Sequence, residues 1–169
     1  MIVKSIKDRF SVRKFLNKPV EKEQLKEILE AARLSPSARN TQPYHFVVIS
    51  DPDKRAKLTE ICNGQKFAAE APLSIAVCAD NTDYVMKCGQ PAYTVDASIA
   101  AEHINLQAVE LGLGSCWIGS FNHDALADLI KLPRDHKIVT LLPIGYPAVS
   151  KGERNLKSLE DLVSYNSFK

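Results

Sequence analysis

The sequence predicts one layered domain, of the α+β or α/β class, with a central mixed sheet sandwiched between helices. Three observations carry that expectation. Short apolar segments of strand character at 45–49, 73–79, 115–119 and 138–144 are each separated by a stretch with helical spacing. One of them, Leu73 to Ala79 (LSIAVCA), is an unbroken apolar run, as expected of a central strand covered on both faces. A long helix from about Asp96 to Leu111 carries Ile99, Leu106 and Val109 at helical spacing, continued by Leu113, with Ala97, Ala100, Ala101 and Ala108 between them. Such a helix is expected to be buried nearly all round.

The totals fit this picture. At 169 residues, with 45% hydrophobic and 25% charged residues, the chain sits at globular averages and suits a single domain, 1–169. A net charge of +2 argues against a nucleic-acid surface, so the expected partners are small molecules or a second copy. Cys62, Cys78, Cys88 and Cys116 show neither C-x-x-C nor metal-ligand spacing, and no metal site is expected. The start, MIVKSIKDRF, lacks the apolar core of a leader, and no apolar stretch is long enough for a bilayer; the expected location is the cytoplasm.

Taken in order, residues 3 to 9 form a short amphipathic turn, followed by Arg9-Phe10-Ser11-Val12-Arg13. If extended, this piece puts two guanidinium groups and a hydroxyl on one face, with Phe10 and Val12 on the other. An anion site and a solvated basic face are both open readings of it. Glu21 to Ala32 is a helix with Val20, Leu25, Ile28, Leu29 and Ala32 along its buried stripe. A polar loop with two prolines, Leu34 to Tyr44, then leads into the first strand; Ser37, Asn40 and Gln42 offer donors and acceptors on a stiff backbone.

Asp51-Pro52 opens the next helix, Asn63-Gly64-Gln65 interrupts it, and a short piece from Phe67 to Ala71 ends at Pro72. Residues 80 to 92 have no period and read as a loop. In the long helix Asp96 is expected to cap the first turn, and Gly112 and Gly114 to end it. Asp124 is expected to cap a short helix, and Pro143 within 138–144 suggests an edge strand or a bulge. The apolar tail from Leu156 to Tyr165 has to dock somewhere. Neither G-x-G-x-x-G nor G-x-x-x-x-G-K is present, so a nucleotide would need other ligands.

Three separated pieces change the reading when taken together. Arg9-x-Ser11-x-Arg13, Ser35-Pro36-Ser37-x-x-Asn40-x-Gln42-Pro43-Tyr44, and Leu111-Gly112-Leu113-Gly114-Ser115-Cys116-Trp117-Ile118-Gly119 resemble, in order and spacing, the nitroreductase family. The chain looks like a compact FMN-dependent member, and the resemblance spans nearly its whole length. It implies an α+β fold working as an intertwined homodimer, with the C-terminal extension swapped onto the partner and FMN at the interface. Arg9 would then pair with the FMN phosphate, while Ser11 and Arg13, in the same segment as Phe10, reach the ribityl chain and the pyrimidine edge. The second subunit would contribute Pro36, Ser37, Ala38 and Asn40. Trp117, Ile118, Gly119 and Ser120 would run along the isoalloxazine, with the Gly119 amide near N5.

The resemblance further implies a ring contact from Gln65, for which Asn63 competes, and a second phosphate contact from Arg154, for which Lys151 and Lys157 compete. Glu102-His103 departs from the neutral amide pair common in the family; His103 reads as a packed or interface residue. The implied reaction is ping-pong hydride transfer from NADH or NADPH through the flavin to an acceptor such as a nitroaromatic or a quinone, with no catalytic side chain. Two rivals stand beside it. One is a flavin protein of this fold with another reaction, dehalogenase-like or flavin-destructase-like, or with a regulatory role, because only residues 80–92 could cover the ring. The other is a flavin-free dimeric binding module.

Overall fold

A computed structural model describes residues 1–80 and 82–168. Asn81, within the expected loop 80–92, and Lys169 lie outside the described residues. The helices are α1 (Lys4–Asp8), α2 (Lys22–Arg33), α3 (Pro52–Ile61), α4 (Phe67–Glu70), α5 (Ala92–Glu110), α6 (His123–Ile130) and α7 (Leu159–Leu162). The strands are β1 (Tyr44–Ile49), β2 (Leu73–Ala79), β3 (Gly114–Ser115) and β4 (Lys137–Gly145), in the sheet order β1-β2-β4-β3.

Every neighbouring pair in that sheet is antiparallel, which corrects the expected mixed sheet. Helices between strands predict crossovers but not which strands end up side by side. β2 and β3, joined through α5, do run the same way, but β4 inserts between them and pairs antiparallel with both. Among the described residues the parallel pairing is a single bridge between Ser11 and Ser115 at the sheet edge.

The two faces of the sheet hold separate apolar clusters. Ile75, Val77, Leu142 and Ile144 pack against Ile28 and Ala32 of α2 and Ala97, Ala101, Ile104 and Ala108 of α5. Ala76, Cys78, Ile138 and Leu141 pack against Leu58 and Ile61 of α3, Phe67 and Ala68 of α4 and Leu126 of α6. With helices on both sides, all seven residues of β2 are buried, which is why the segment reads as one apolar run.

Local signals set several element ends. Glu21 and Gln24 form a reciprocal capping box at the start of α2. The Asp51 carboxylate accepts from the N–H groups of Asp53 and Lys54, with Pro52 in the first turn of α3. α6 is capped by Asn122, whose side chain accepts from Ala125 N–H, rather than by Asp124.

α5 begins four residues before the expected cap, so Asp96 lies inside it. Its buried side is the small one, Ala97, Ala100, Ala101, Ile104 and Ala108, whereas Ile99, Leu106 and Val109 are only half-buried. Ile104 apart, the larger apolar side chains of the helix are therefore not fully covered within one chain. The tail is likewise undocked: Leu156, Leu159, Leu162, Tyr165 and Phe168 are all exposed, and α7 buries nothing.

The expected strand 115–119 is laddered at Gly114–Ser115 and then again only at Ile118, which bridges Leu141 in the same register. Ile118 and Leu141 exchange both backbone bonds, so two residues along, Cys116 and Pro143 should do the same. Pro143 has no N–H to give. The proline thus sits in an interior strand and interrupts the ladder on the β3 side, rather than marking an edge.

Candidate active site

The site is built where the N-terminal segment lies along β3. Val12 is fully buried and donates its N–H to the Ser115 carbonyl at 2.9 Å, while Ser11 and Arg13 on either side of it are exposed. Gly114 permits this approach: a Cβ there would stand 2.4 Å from Val12 Cγ2. Arg9, Ser11 and Arg13 are thereby fixed beside the run Cys116 to Gly119. Burial pushes the Cys116 thiol up, and the Arg13 guanidinium, a hydrogen bond with Ser11 and the Arg9 guanidinium pull it back down, in that order. The first motif and the glycine segment thus meet at the Ser11–Ser115 bridge, next to Cys116. Phe10 is half-buried in the same segment.

Helix α5 braces this corner. Arg9 Nε stands 3.9 Å from one carboxylate oxygen of Glu102, and the other oxygen accepts from Asn105 Nδ2 at 2.8 Å. The Asn105 carbonyl oxygen in turn accepts from the Ser115 hydroxyl, and both residues are buried. This chain ties the first arginine to β3 through two side chains of α5. The sequence marked Glu102 only as a departure from the family's amide pair; its spacing of three from Asn105 on a helix was the available signal.

Beyond the bridge, Trp117 is 40% exposed, Ile118 is buried, and Gly119 and Ser120 are exposed. A Cβ built on Gly119 would meet nothing within 4 Å, so a flat molecule has open access to that backbone. Gln65 Nε2 donates to the Ser120 carbonyl at 3.2 Å and to the Cys62 carbonyl at 3.1 Å; Asn63 Nδ2 donates to Ser120 Oγ at 3.1 Å. The two rival amides thus converge on the end of the glycine segment.

The proline loop lies elsewhere. Ala38–Asn40 is a single 3₁₀ turn in which Arg39 and Asn40, and then Gln42, take positive φ. Ser37 Oγ accepts from Gln42 N–H at 2.9 Å, and Asp96 accepts from Ala38 N–H at 3.0 Å. So Asp96, expected to cap its own helix, instead pins this loop. Its other oxygen, Oδ2, is buried and has no hydrogen-bond partner among the described residues. Ser35 Oγ lies 3.0 Å from His103 Nδ1, which also approaches the Ala31 carbonyl at 3.2 Å, giving His103 a packing role. Arg39 lies over the Tyr84 ring, 4.5 Å from its centroid.

Asp96, which holds the loop, and Asn105, which holds β3, are two and a half turns apart on α5, about 13 Å of helix axis. The structure therefore brings the Arg9 to Arg13 segment against Ser115, where the run to Gly119 begins, and Gln65 together with Ser120. It does not bring Pro36, Ser37, Ala38 and Asn40 to the same place within one chain. Arg154 is also apart, in a groove formed by Ile2, Ile6, Lys7, Lys151, Gly152, Glu153 and Leu156, where Lys151 donates to the Lys7 carbonyl. Lys157 is exposed.

Two guanidinium groups, a hydroxyl and an unobstructed backbone glycine at one sheet edge are a donor set for a flat molecule with an anionic tail. They define an α+β protein with a polar, cationic site on the rim of its sheet. Among the described residues no cluster of His, Cys, Asp and Glu could hold a metal, and no helix is long and apolar enough to cross a membrane.

Comparison with known proteins agrees with this class. The model of the nitroreductase family matches residues 6–90 and 63–146. A relative from Methanothermobacter thermautotrophicus, provisionally named NADH dehydrogenase/NAD(P)H nitroreductase, is 32% identical over 160 residues, covering 92% of this chain and 82% of its own. The FMN reductase [NAD(P)H] of Bacillus subtilis is 31% identical over 164 residues, covering 87% of this chain and 66% of that longer one. The solved structure of an FMN-dependent nitroreductase from Clostridium difficile R20291 is 34% identical, with a TM-score of 0.79 over 97% of this chain and 98% of that one. The chain belongs to the nitroreductase family.

Proposed function

We propose that this protein is an FMN-dependent NAD(P)H oxidoreductase that works as a homodimer, with each flavin held between two subunits. The observation that carries the reading is the Ser11–Ser115 bridge, which lays the segment bearing both arginines along the strand that leads to Gly119. The residues present fit FMN: cationic forks for a phosphate and a pyrimidine edge, and open backbone for a flat ring. When bound, FMN supplies two-electron redox chemistry at N5, accepting a hydride from NADH or NADPH and later yielding the same two electrons to an acceptor such as a nitroaromatic or a quinone.

Arg9, steadied by Glu102, holds the phosphate in this reading. Ser11 and Arg13 face the ribityl chain and the N1–C2 carbonyl edge, where a fixed positive charge favours the reduced, anionic ring. Trp117 to Ser120 lie along the ring, and Gln65 and Asn63 keep that segment in place through Ser120. Because one surface serves donor and acceptor in turn, the kinetics are ping-pong, and no side-chain acid or base is required.

The partner supplies what one chain leaves apart. The loop bearing Pro36, Ser37, Ala38 and Asn40 closes over the neighbouring subunit's flavin. The half-buried flank of α5 and the exposed tail from Leu156 find their cover across the two-fold axis. Arg154, two residues before that tail, is assigned to the phosphate on that basis.

Purified protein is expected to be yellow, and its flavin band to bleach with NADH or NADPH without oxygen. Arg13→Ala is expected to weaken FMN binding by about tenfold or more, the scale of one charge-assisted hydrogen bond. Colourless protein that takes up no added FMN would exclude the reading. Flavin reduced by dithionite but by neither nicotinamide would leave the cofactor and remove the proposed donor.

A further inference from the structure

The peptide unit between Ile118 and Gly119 is held from behind by a residue that the sequence motifs do not include. The Ile118 carbonyl accepts two hydrogen bonds, from Leu141 N–H at 3.1 Å and from the Thr140 hydroxyl at 3.0 Å. Thr140 is wholly buried in β4, and among the described residues its hydroxyl makes this hydrogen bond alone. A trans peptide is planar, with its C=O and N–H pointing in opposite directions. Fixing the Ile118 carbonyl toward β4 therefore fixes the Gly119 N–H away from it. That direction leads away from β4, off the β3 edge of the sheet, and a Cβ on the same residue would meet nothing within 4 Å.

Glycine is the residue least able to hold this orientation alone, because its backbone has the widest choice of φ and ψ. The ladder is also weakened at Cys116, two residues before Ile118, opposite Pro143. The second donor on the Ile118 carbonyl restores the constraint. By polarising the amide it also strengthens the N–H on the far side, since hydrogen bonds in series reinforce one another.

We infer that Thr140 is a positioning residue for the reaction: its hydroxyl locks and polarises the Ile118–Gly119 amide so that the Gly119 N–H is presented to the flavin. This rests on the proposed flavin reading, in which that N–H meets N5. Thr140 touches neither flavin nor substrate, so its effect should appear in the ring's reactivity more than in its retention.

The test compares Thr140→Val, which keeps the shape and removes the hydroxyl, with Thr140→Ser, which keeps the hydroxyl. Three readouts are taken: FMN affinity, the anaerobic rate of flavin reduction by NAD(P)H, and the Gly119 amide resonance of flavin-free protein. Thr140→Val is expected to slow reduction about fivefold, within the two- to tenfold range of one neutral hydrogen bond, with FMN affinity changed less than twofold. Its Gly119 amide resonance is expected to move, while Thr140→Ser stays near wild type in all three. Should the valine variant not fold, Thr140→Ala takes its place with the same expectations. A valine or alanine variant with wild-type reduction rate and an unmoved resonance would overturn the inference. Failure of the wild-type protein to bind FMN would instead remove the reading beneath it, and the amide resonance would still report on the lock.

Discussion

Gly114→Ala is expected to loosen the corner on which the cofactor site depends. The added methyl would lie 2.4 Å from Val12 Cγ2, 3.1 Å from Pro147 Cγ and 3.3 Å from Val12 Cβ. Carbon atoms settle at about 3.5–4.0 Å, so the N-terminal segment has to retreat by about 1 Å or more. Val12 is completely buried and its N–H is bonded to Ser115, so the retreat strains both packing and ladder. Overpacking of this kind costs about 1–3 kcal/mol.

Val12→Ala alone should cost about 2 kcal/mol for two buried methyl groups and the space they leave. The same change removes the atom that Gly114→Ala would strike. The double variant should therefore be more stable than the sum of the singles by about 1–2 kcal/mol. Urea denaturation of the four proteins measures that coupling. FMN titration of the same set should show affinity falling in Gly114→Ala and partly recovering in the double variant. Additive losses, within about 0.5 kcal/mol, would refute the claim that Val12 and Gly114 meet as described.

Three further outcomes concern the buried polar and thiol groups. Asn105→Ala leaves the buried Ser115 hydroxyl without its acceptor and frees Glu102, so denaturation should show a loss of about 1–3 kcal/mol, with weaker FMN binding through Arg9. Burial raises the Cys62 thiol to about 11 and the Cys78 thiol to about 12, from an ordinary value of 9.0. Because the folded protein holds these protons more tightly than the unfolded chain, their contribution to stability is complete below pH 9 and is lost as pH rises toward 11 and 12. Denaturation midpoints should fall across that window. At pH 8 an alkylating reagent should modify exposed Cys88 in native protein and spare the three buried thiols.

Elements were legible in the sequence where one local signal sufficed. β2 showed as an apolar run because helices cover both of its faces, and α3 showed through Asp51-Pro52 because its cap is local. The start of α5 was not legible: Pro91 caps it without a side-chain bond, and the conspicuous carboxylate of Asp96 is used by Ala38, 58 positions away. Strand directions were not legible either, since spacing reports the period of an element and not its neighbour. At the site, the three motifs supplied the residues, but what joins them is long-range. The Ser11–Ser115 bridge, the Glu102–Arg9 contact and the Thr140–Ile118 bond each link residues whose proximity no local pattern encodes. Arg154 and the loop at 36–40 fall outside the single-chain site for another reason: their proposed place is on the partner.

That division of the site between two chains can be measured by mixing subunits. One variant carries Arg9→Ala and Arg13→Ala, the other Ser37→Ala and Asn40→Ala, so neither homodimer has an intact flavin site. Random reassortment makes half of the dimers mixed, each with one intact site of two, and flavin binding should return to about one quarter of wild type. No recovery above that of the separate variants, with mixed dimers shown to form, would mean that each chain builds its flavin site alone.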